Sequence, residues 1–293
     1  MALAAGCGGR STPLPQLAAV PMPSNAQLVA RGEYIVRNAA TCGGCHAAEQ
    51  GKTDGPLSGG TEFKDWRLGT IRASNLTPDS ATGLGRWTDA EIVRALRNGE
   101  SRDGSLLAPV MPYGWLNGMS DEDALAVARY LKSLAPVSHV VSQQPNIVFK
   151  TGRALFLRPK PGDTRTAPPR AASAAYGGYL AKYVALCADC HTPRGGMMAT
   201  PDMDRLFAGD AHPSKDFPAN PSNISPDSAT GIGRWTEADF IRTIRTGIDP
   251  KGDTLNPFMP WHENSRMTDD DLRAIYRYLR TVPPISNAVG RRH

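Results

Sequence analysis

Residues 75–131, "NLTPDSATGLGRWTDAEIVRALRNG…VMPYG…MSDEDALAVARYL", and residues 223–279, "NISPDSATGIGRWTEADFIRTIRTG…FMPWH…MTDDDLRAIYRYL", align without a gap and agree at nearly half their positions. A chain built this way folds as two copies of one small unit, so a functional site carried by that unit is expected twice. The offset between copies is 148 through this block. It is 145 at an earlier shared string, "TCGGCH" at 41–46 and "LCADCH" at 186–191, so the copies differ by three residues in the intervening loop. Loops absorb such differences at little cost.

Each copy reads as helix, long loop, short helix, loop, helix. The segments "AQLVARGEYIVRNAA" and "AAYGGYLAKYVAL", which precede the two strings, have helical periodicity, with Leu28, Tyr34 and Ile35 available for packing. Thr88 and Glu91 predict a capping box, Trp87 and Ile92 a hydrophobic staple, and Gly99 a helix stop; Thr236, Asp239, Trp235 and Gly247 repeat the pattern. The last helix begins at Ser120 or Thr268, carries acids in the first turn where the helix dipole favours them, and ends near Leu131 or Leu279. Tyr130 and Tyr278 are placed to pack it on the first helix. The 29 glycines and 25 prolines predict long irregular loops. Three helices among such loops make a thin core, which a buried prosthetic group would complete. The chain divides into a leader and tether over 1–27, a first unit over 28–136, a connector over 137–172, a second unit over 173–286 and a tail over 287–293.

Four of the five cysteines lie in the two short strings. Cys-x-x-Cys-His is the pattern of covalent c-type haem attachment, in which both sulfurs form thioethers and the histidine binds iron. Cys42, Cys45 and His46 are the candidates for one haem c, and Cys187, Cys190 and His191 for the other. Structural zinc needs four ligands, and neither copy offers a second cysteine pair. A redox dithiol expects strands alternating with helices and has no use for a histidine in both copies.

The sixth iron ligand decides the chemistry. A methionine thioether raises the potential and suits reversible electron transfer, whereas an open position suits ligand binding or peroxide chemistry. Met111 and Met259 lie in "PVMPY" and "PFMPW", where the following proline stiffens the loop, and they are the preferred pair. Met119 and Met267 are the alternative, although their place before a helix cap favours packing. Met197, Met198 and Met203 have no counterparts in the first copy. His262, three residues after Met259, competes in the second copy alone, since Gly114 stands in its place in the first. Trp87 and Trp235, with Arg86 and Arg234, sit beside the haem-sized loop, where core packing and haem contact both remain open.

The net charge of +5 contains no basic run of the kind that binds nucleic acid. No stretch approaches the roughly 18 to 20 apolar residues that cross a bilayer. The opening "MALAAGCGGR" places Ala5 and Gly6 before Cys7, as at the end of a bacterial lipoprotein signal, with the rest of a leader expected upstream or trimmed. On that reading Cys7 carries a lipid anchor and "STPLPQLAAVPMPS" is a flexible tether. The alternative is a spare cysteine in a tail.

With these strings in place, residues 28–285, including the connector "IVFKTGRALF", resemble the class I c-type cytochromes that serve as cytochrome subunits of periplasmic alcohol, gluconate and fructose dehydrogenases. The resemblance implies an all-α fold, a tandem duplication of two small cytochrome c-like helical haem domains with long loops. It also implies export to the periplasm, Met111 and Met259 as axial ligands, and a role relaying electrons. The partners would be periplasmic redox proteins: a dehydrogenase, an oxidase or another cytochrome. The sequence shows two haem strings where three are common in those subunits, and on this reading no C-terminal anchoring segment of the kind many carry is expected. The expected function is a dihaem electron carrier that is not an enzyme by itself. The rival is a catalytic dihaem cytochrome, a peroxidase or sulfur-oxidising enzyme, which needs an open or unusual iron ligand; the matched methionines speak against it.

Overall fold

The computed structural model describes residues 23–49, 52–155, 157–196, 199–211 and 219–290. Helix α1 (Asn25–Tyr34) starts at Ser24, whose side chain accepts the Gln27 N–H in a capping box, and runs into a π-helical turn over Ile35–Ala39. There follow α2 (Gly43–His46), strands β1 (Glu62–Asp65) and β2 (Gly69–Arg72), and helices α3 (Asp89–Asn98), α4 (Tyr113–Leu116) and α5 (Asp121–Ser133). The connector contributes β3 (Gln144–Pro145) and α6 (Ile147–Leu155). The second copy repeats the helices: α7 (Ala174–Tyr179) with a π turn over Leu180–Val184, α8 (Cys187–His191), α9 (Glu237–Thr246), α10 (Trp261–Asn264) and α11 (Asp269–Leu279). Between α8 and α9 lie β4 (Arg194–Gly195), β5 (Thr200–Pro201) and one 3₁₀ turn, Met203–Arg205.

The architecture is helical in outline, but an all-α description is too narrow. β1, β2 and β3 form an antiparallel sheet in which Phe63 faces Ile71 and Thr70 faces Gln144; β4 and β5 form a second small hairpin. The first hairpin turns where Asp65 Oδ1 accepts the Arg67 N–H at 2.7 Å and Gly69 takes φ +81°. That is a side-chain-nucleated turn followed by a residue free to adopt left-handed backbone.

First and last helices cross at a glycine in each copy. A Cβ on Gly32 would stand 2.0 Å from the Ala126 carbonyl oxygen of α5, and one on Gly177 only 1.8 Å from that of Ala274 in α11. These two positions admit no side chain, and the close approach lets Ile35, Val36, Val127 and Leu131 of the first copy and Leu180, Val184, Leu272 and Leu279 of the second join one continuous buried core. The short helices then dock reciprocally: α4 packs on the π turn Leu180–Val184, and α10 on the π turn Ile35–Ala39. Asn264 Nδ2 donates to the Asn38 carbonyl at 2.7 Å across this junction.

The connector is strapped to the first copy. Asn98 Nδ2 donates to the Lys160 carbonyl at 2.6 Å, and Asn117 Nδ2 to that of Pro161 at 2.9 Å. The fully buried Arg97 pairs with Asp121 and donates to the Asp163 carbonyl. Its counterpart Arg245 pairs with Asp269 in a more exposed setting.

The capping boxes of α3 and α9 form as their residues require. Thr88 Oγ1 accepts the Glu91 N–H at 3.2 Å and Glu91 Oε2 accepts the Thr88 N–H at 2.7 Å, with Gly99 closing the helix at φ +70°. Thr88→Ala and Thr236→Ala are each expected to cost about 1 kcal/mol, the usual value of such a cap. Thermal unfolding of the haem-loaded protein should register this as a loss of roughly 2–4 °C per substitution.

Candidate functional site

The chain enters each Cys-His string through a residue held in left-handed backbone, Thr41 at φ +50° and Leu186 at φ +56°. Neither is glycine, so each turn costs about 1 kcal/mol or more. The π turns just before them close through Ala40 N–H to the Ile35 carbonyl and Ala185 N–H to the Leu180 carbonyl, both at 2.7 Å. Such widened turns inside α-helices recur at functional sites. Together they swing the backbone off the first helix and start α2 and α8, each about one turn long. Cys42 and Cys45, like Cys187 and Cys190, are three residues apart on such a turn and therefore share a face. No disulfide joins any of the four.

Both histidines are anchored alike. His46 Nδ1 lies 2.8 Å from the Ser74 carbonyl and His191 Nδ1 lies 2.7 Å from the Ser222 carbonyl. A carbonyl only accepts, so Nδ1 carries the proton and Nε2 keeps its lone pair for a metal. A backbone carbonyl on the far nitrogen is the usual way a metal-binding imidazole is oriented. Burial lowers both imidazole pKa values, and the carbonyl contacts oppose this only in part, which favours the neutral ligand form.

The thiols are poor thiolates. Burial, with Cys45 nearby, pushes Cys42 up to about 12, and burial pushes Cys187 up to about 11. Cys190 keeps accessible surface, yet the protein surrounding its sulfur, with Asp189 beside it, pushes it up to about 12. A zinc–thiolate centre has no cage here, since no three His, Cys, Asp or Glu side chains converge as metal ligands among the described residues. The donor set fits haem c instead: neutral thiols paired on one face, and beside them an imidazole whose Nε2 is left for iron.

The two methionine pairs occupy different environments. Met111 and Met259 sit in tight turns, Tyr113 N–H donating to the Met111 carbonyl at 2.8 Å and Trp261 N–H to that of Met259 at 2.7 Å. Pro112 and Pro260 then start α4 and α10, and both methionines pack half-buried against the core. Met119 and Met267, by contrast, are enclosed in the core at 0 and 2 % exposure. Trp87 and Trp235 are half-buried against the same core. His262 is exposed and stacked on Trp261 at 3.6 Å between ring centroids. Met203 is exposed. Cys7, Met197 and Met198 lie outside the described residues.

The residues that sequence reasoning missed are Ser74 and Ser222, whose backbone carbonyls hold the histidines. Their placement follows from the adjoining repeated string. Asn75 Nδ2 donates to the Val137 carbonyl at 2.8 Å and Asn223 Nδ2 to that of Ile285 at 2.7 Å, tying each loop to the segment beyond the last helix. Asp79 and Asp227 each fasten the loop further, accepting from the backbone N–H and hydroxyl of Thr82 or Thr230 at 2.7 Å. The signal was the recurrence of the string itself.

Two family profiles match the chain. The one described as "Cytochrome c" covers residues 29–135, and the one described as "Cytochrome C oxidase, cbb3-type, subunit III" covers residues 179–279. The chain is 34 % identical over 282 residues to the alcohol dehydrogenase (quinone) cytochrome c subunit of Gluconacetobacter polyoxogenes, covering 91 % of this chain and 58 % of that one. With the gluconate 2-dehydrogenase cytochrome c subunit of Pantoea cypripedii it shares 31 % identity over 271 residues, 88 % of this chain and 60 % of that one. It therefore spans somewhat more than half the length of these dehydrogenase subunits. A diheme cytochrome c-type protein of Cereibacter sphaeroides is 30 % identical over 270 residues, 87 % of this chain and 86 % of the relative.

Proposed function

The chain belongs to the dihaem c-type cytochromes, and from that premise we propose that it relays electrons between periplasmic redox proteins through two His/Met-ligated haems. Each bound haem supplies a one-electron ferric/ferrous couple. Cys42 and Cys45 hold one by thioether bonds and Cys187 and Cys190 the other, while His46 and His191 give the proximal ligands. The observation that carries the reading is the matched anchoring of the two imidazoles on the Ser74 and Ser222 carbonyls. Met111 and Met259 supply the sixth ligands from their Met-Pro turns, where accessible side-chain surface and a stiff backbone coincide. The buried Met119 and Met267 fill the core. With both axial positions taken, the protein passes electrons and performs no substrate chemistry.

The organisation that goes with this is a tandem duplication, 28–136 and 173–286, joined by the connector 137–172. Export to the periplasm suits covalent haem attachment and the dehydrogenase subunits it resembles, whose names point to a dehydrogenase as donor. An oxidase or second cytochrome is then the acceptor, and a lipid on Cys7 attaches the protein to the membrane. Among the described residues no helix is long and apolar enough to cross one.

Cys45→Ser and Cys190→Ser test the attachment directly. Each is expected to leave one haem on a single thioether, moving the haemochrome band of half the haem while the other half stays put. No movement on either substitution contradicts the attachment sites.

A further inference from the structure

In α3 and α9 the third helical residue turns back on its own cap, Glu91 Oε2 accepting the Thr88 N–H at 2.7 Å and Asp239 Oδ2 the Thr236 N–H at 3.0 Å. The final helices α5 and α11 pair a hydroxyl with an acid in the same way, Ser120 with Asp123 and Thr268 with Asp271. Half of each box is made in the ordinary way, since Ser120 Oγ accepts the Asp123 N–H and Thr268 Oγ1 the Asp271 N–H, both at 3.2 Å. The returning half runs through a tyrosine of the other copy. Tyr179 OH accepts the Ser120 N–H at 3.1 Å and donates to Asp123 Oδ2 at 2.7 Å. Tyr34 OH accepts the Thr268 N–H at 3.0 Å and donates to Asp271 Oδ2 at 2.5 Å.

Tyr34 and Tyr179 are equivalent under the 145-residue offset and end α1 and α7, so the exchange is reciprocal. A phenol has one proton to give, and here it goes to a carboxylate while the oxygen accepts an otherwise orphaned helix N–H. Burial, with Asp123 alongside, raises the Tyr179 hydroxyl well above its usual value and keeps it a donor across neutral pH. Arg31 braces the same corner, reaching Asp123 at 2.8 and 2.9 Å and the Tyr176 hydroxyl of the other copy at 3.2 Å.

We propose that Tyr34 and Tyr179 are reciprocal positioning residues, each completing the capping box of the other copy's last helix and so fixing one haem-bearing unit on the other. α5 and α11 cross the first helices at Gly32 and Gly177, and those first helices lead into the Cys-His turns. The cap therefore acts on the framework from which each attachment site hangs. That a fixed separation between two redox centres follows rests on the electron-relay reading; the shared cap does not.

Tyr34→Phe and Tyr179→Phe keep the ring and remove only the hydroxyl. In the haem-loaded protein, followed by amide hydrogen exchange, Tyr34→Phe is expected to speed exchange at Thr268 and the start of α11 by roughly 2- to 30-fold, the effect of losing a cap. Exchange at Ser120 should stay unchanged. Tyr179→Phe is expected to do the converse. Exchange that rises only around the substituted tyrosine, or at neither site, overturns the proposal. Should one variant fail to load haem, the other decides alone. Pulsed EPR on the same sample then checks the geometry, where a single narrow inter-haem distance is expected to broaden and an unaltered one overturns the positioning role. Spectra of the unsubstituted protein judge the electron-relay reading separately, because an open iron there would sink that reading and leave the trans cap standing.

Discussion

Met111→Ala and Met259→Ala are each expected to remove half of the sulfur-to-iron charge-transfer absorption of the oxidised protein and to lower the potential of one haem alone. Both methionines sit in turns where their own carbonyl accepts a backbone hydrogen bond from across Pro112 or Pro260, which also stiffens the turn. A thioether favours the ferrous state, and water or an empty position in its place withdraws that preference. The drop should be a sizeable share of the roughly 0.8 V that axial ligands command. Potentiometric titration followed by absorption reads both effects. Met119→Ala serves as the comparison: truncating a methionine buried at 0 % exposure removes core contacts, so it should cost roughly 2–5 kcal/mol and leave both bands in place. If Met119→Ala removed a band and Met111→Ala did not, the ligand assignment would be wrong.

Gly177→Ala is expected to be the most damaging glycine-to-alanine change among the described residues. The new Cβ stands 1.8 Å from the Ala274 carbonyl oxygen and 2.2 Å from its carbon, and backbone on a packed helix does not step aside. Overpacking of this kind costs about 3 kcal/mol or more, a large fraction of the roughly 5–15 kcal/mol that holds an ordinary domain. Gly32→Ala meets the same obstacle in the first copy, 2.0 Å from the Ala126 oxygen. Gly152, within α6, has no atom within 4 Å of its Cβ position, so Gly152→Ala should be neutral or mildly stabilising through helix propensity. Denaturant unfolding of the haem-loaded variants measures the contrast. Equal tolerance at Gly177 and Gly152 would contradict the helix crossing.

Features set by near neighbours along the chain are legible in the sequence itself. Thr88 with Glu91, Gly99, Ser120 and Thr268 cap or stop helices through contacts within four residues, so pattern alone places them. The Cys-His strings are legible for the same reason, since attachment needs only i, i+3 sulfurs and an adjacent imidazole. What escapes depends on distant partners. The β1–β2 hairpin has four-residue strands, and its third strand comes from Gln144, more than seventy residues on; runs so short show no alternation. The Ser74 and Ser222 carbonyls that orient the histidines are backbone groups, which any residue type could supply. Tyr34 reads as a packing residue because nothing near it in sequence reveals a hydroxyl bound for Asp271, 237 residues away.

On the reading we propose, this chain carries two closed irons and passes electrons between them and its partners. Potentiometric titration of the oxidised, haem-loaded protein, followed by absorption, tests it most directly. Two low-spin haems per chain are expected, each contributing a methionine-to-iron band and each taking up one electron reversibly. A high-spin haem, a methionine band accounting for only one of the two, or rapid turnover of added peroxide would contradict it.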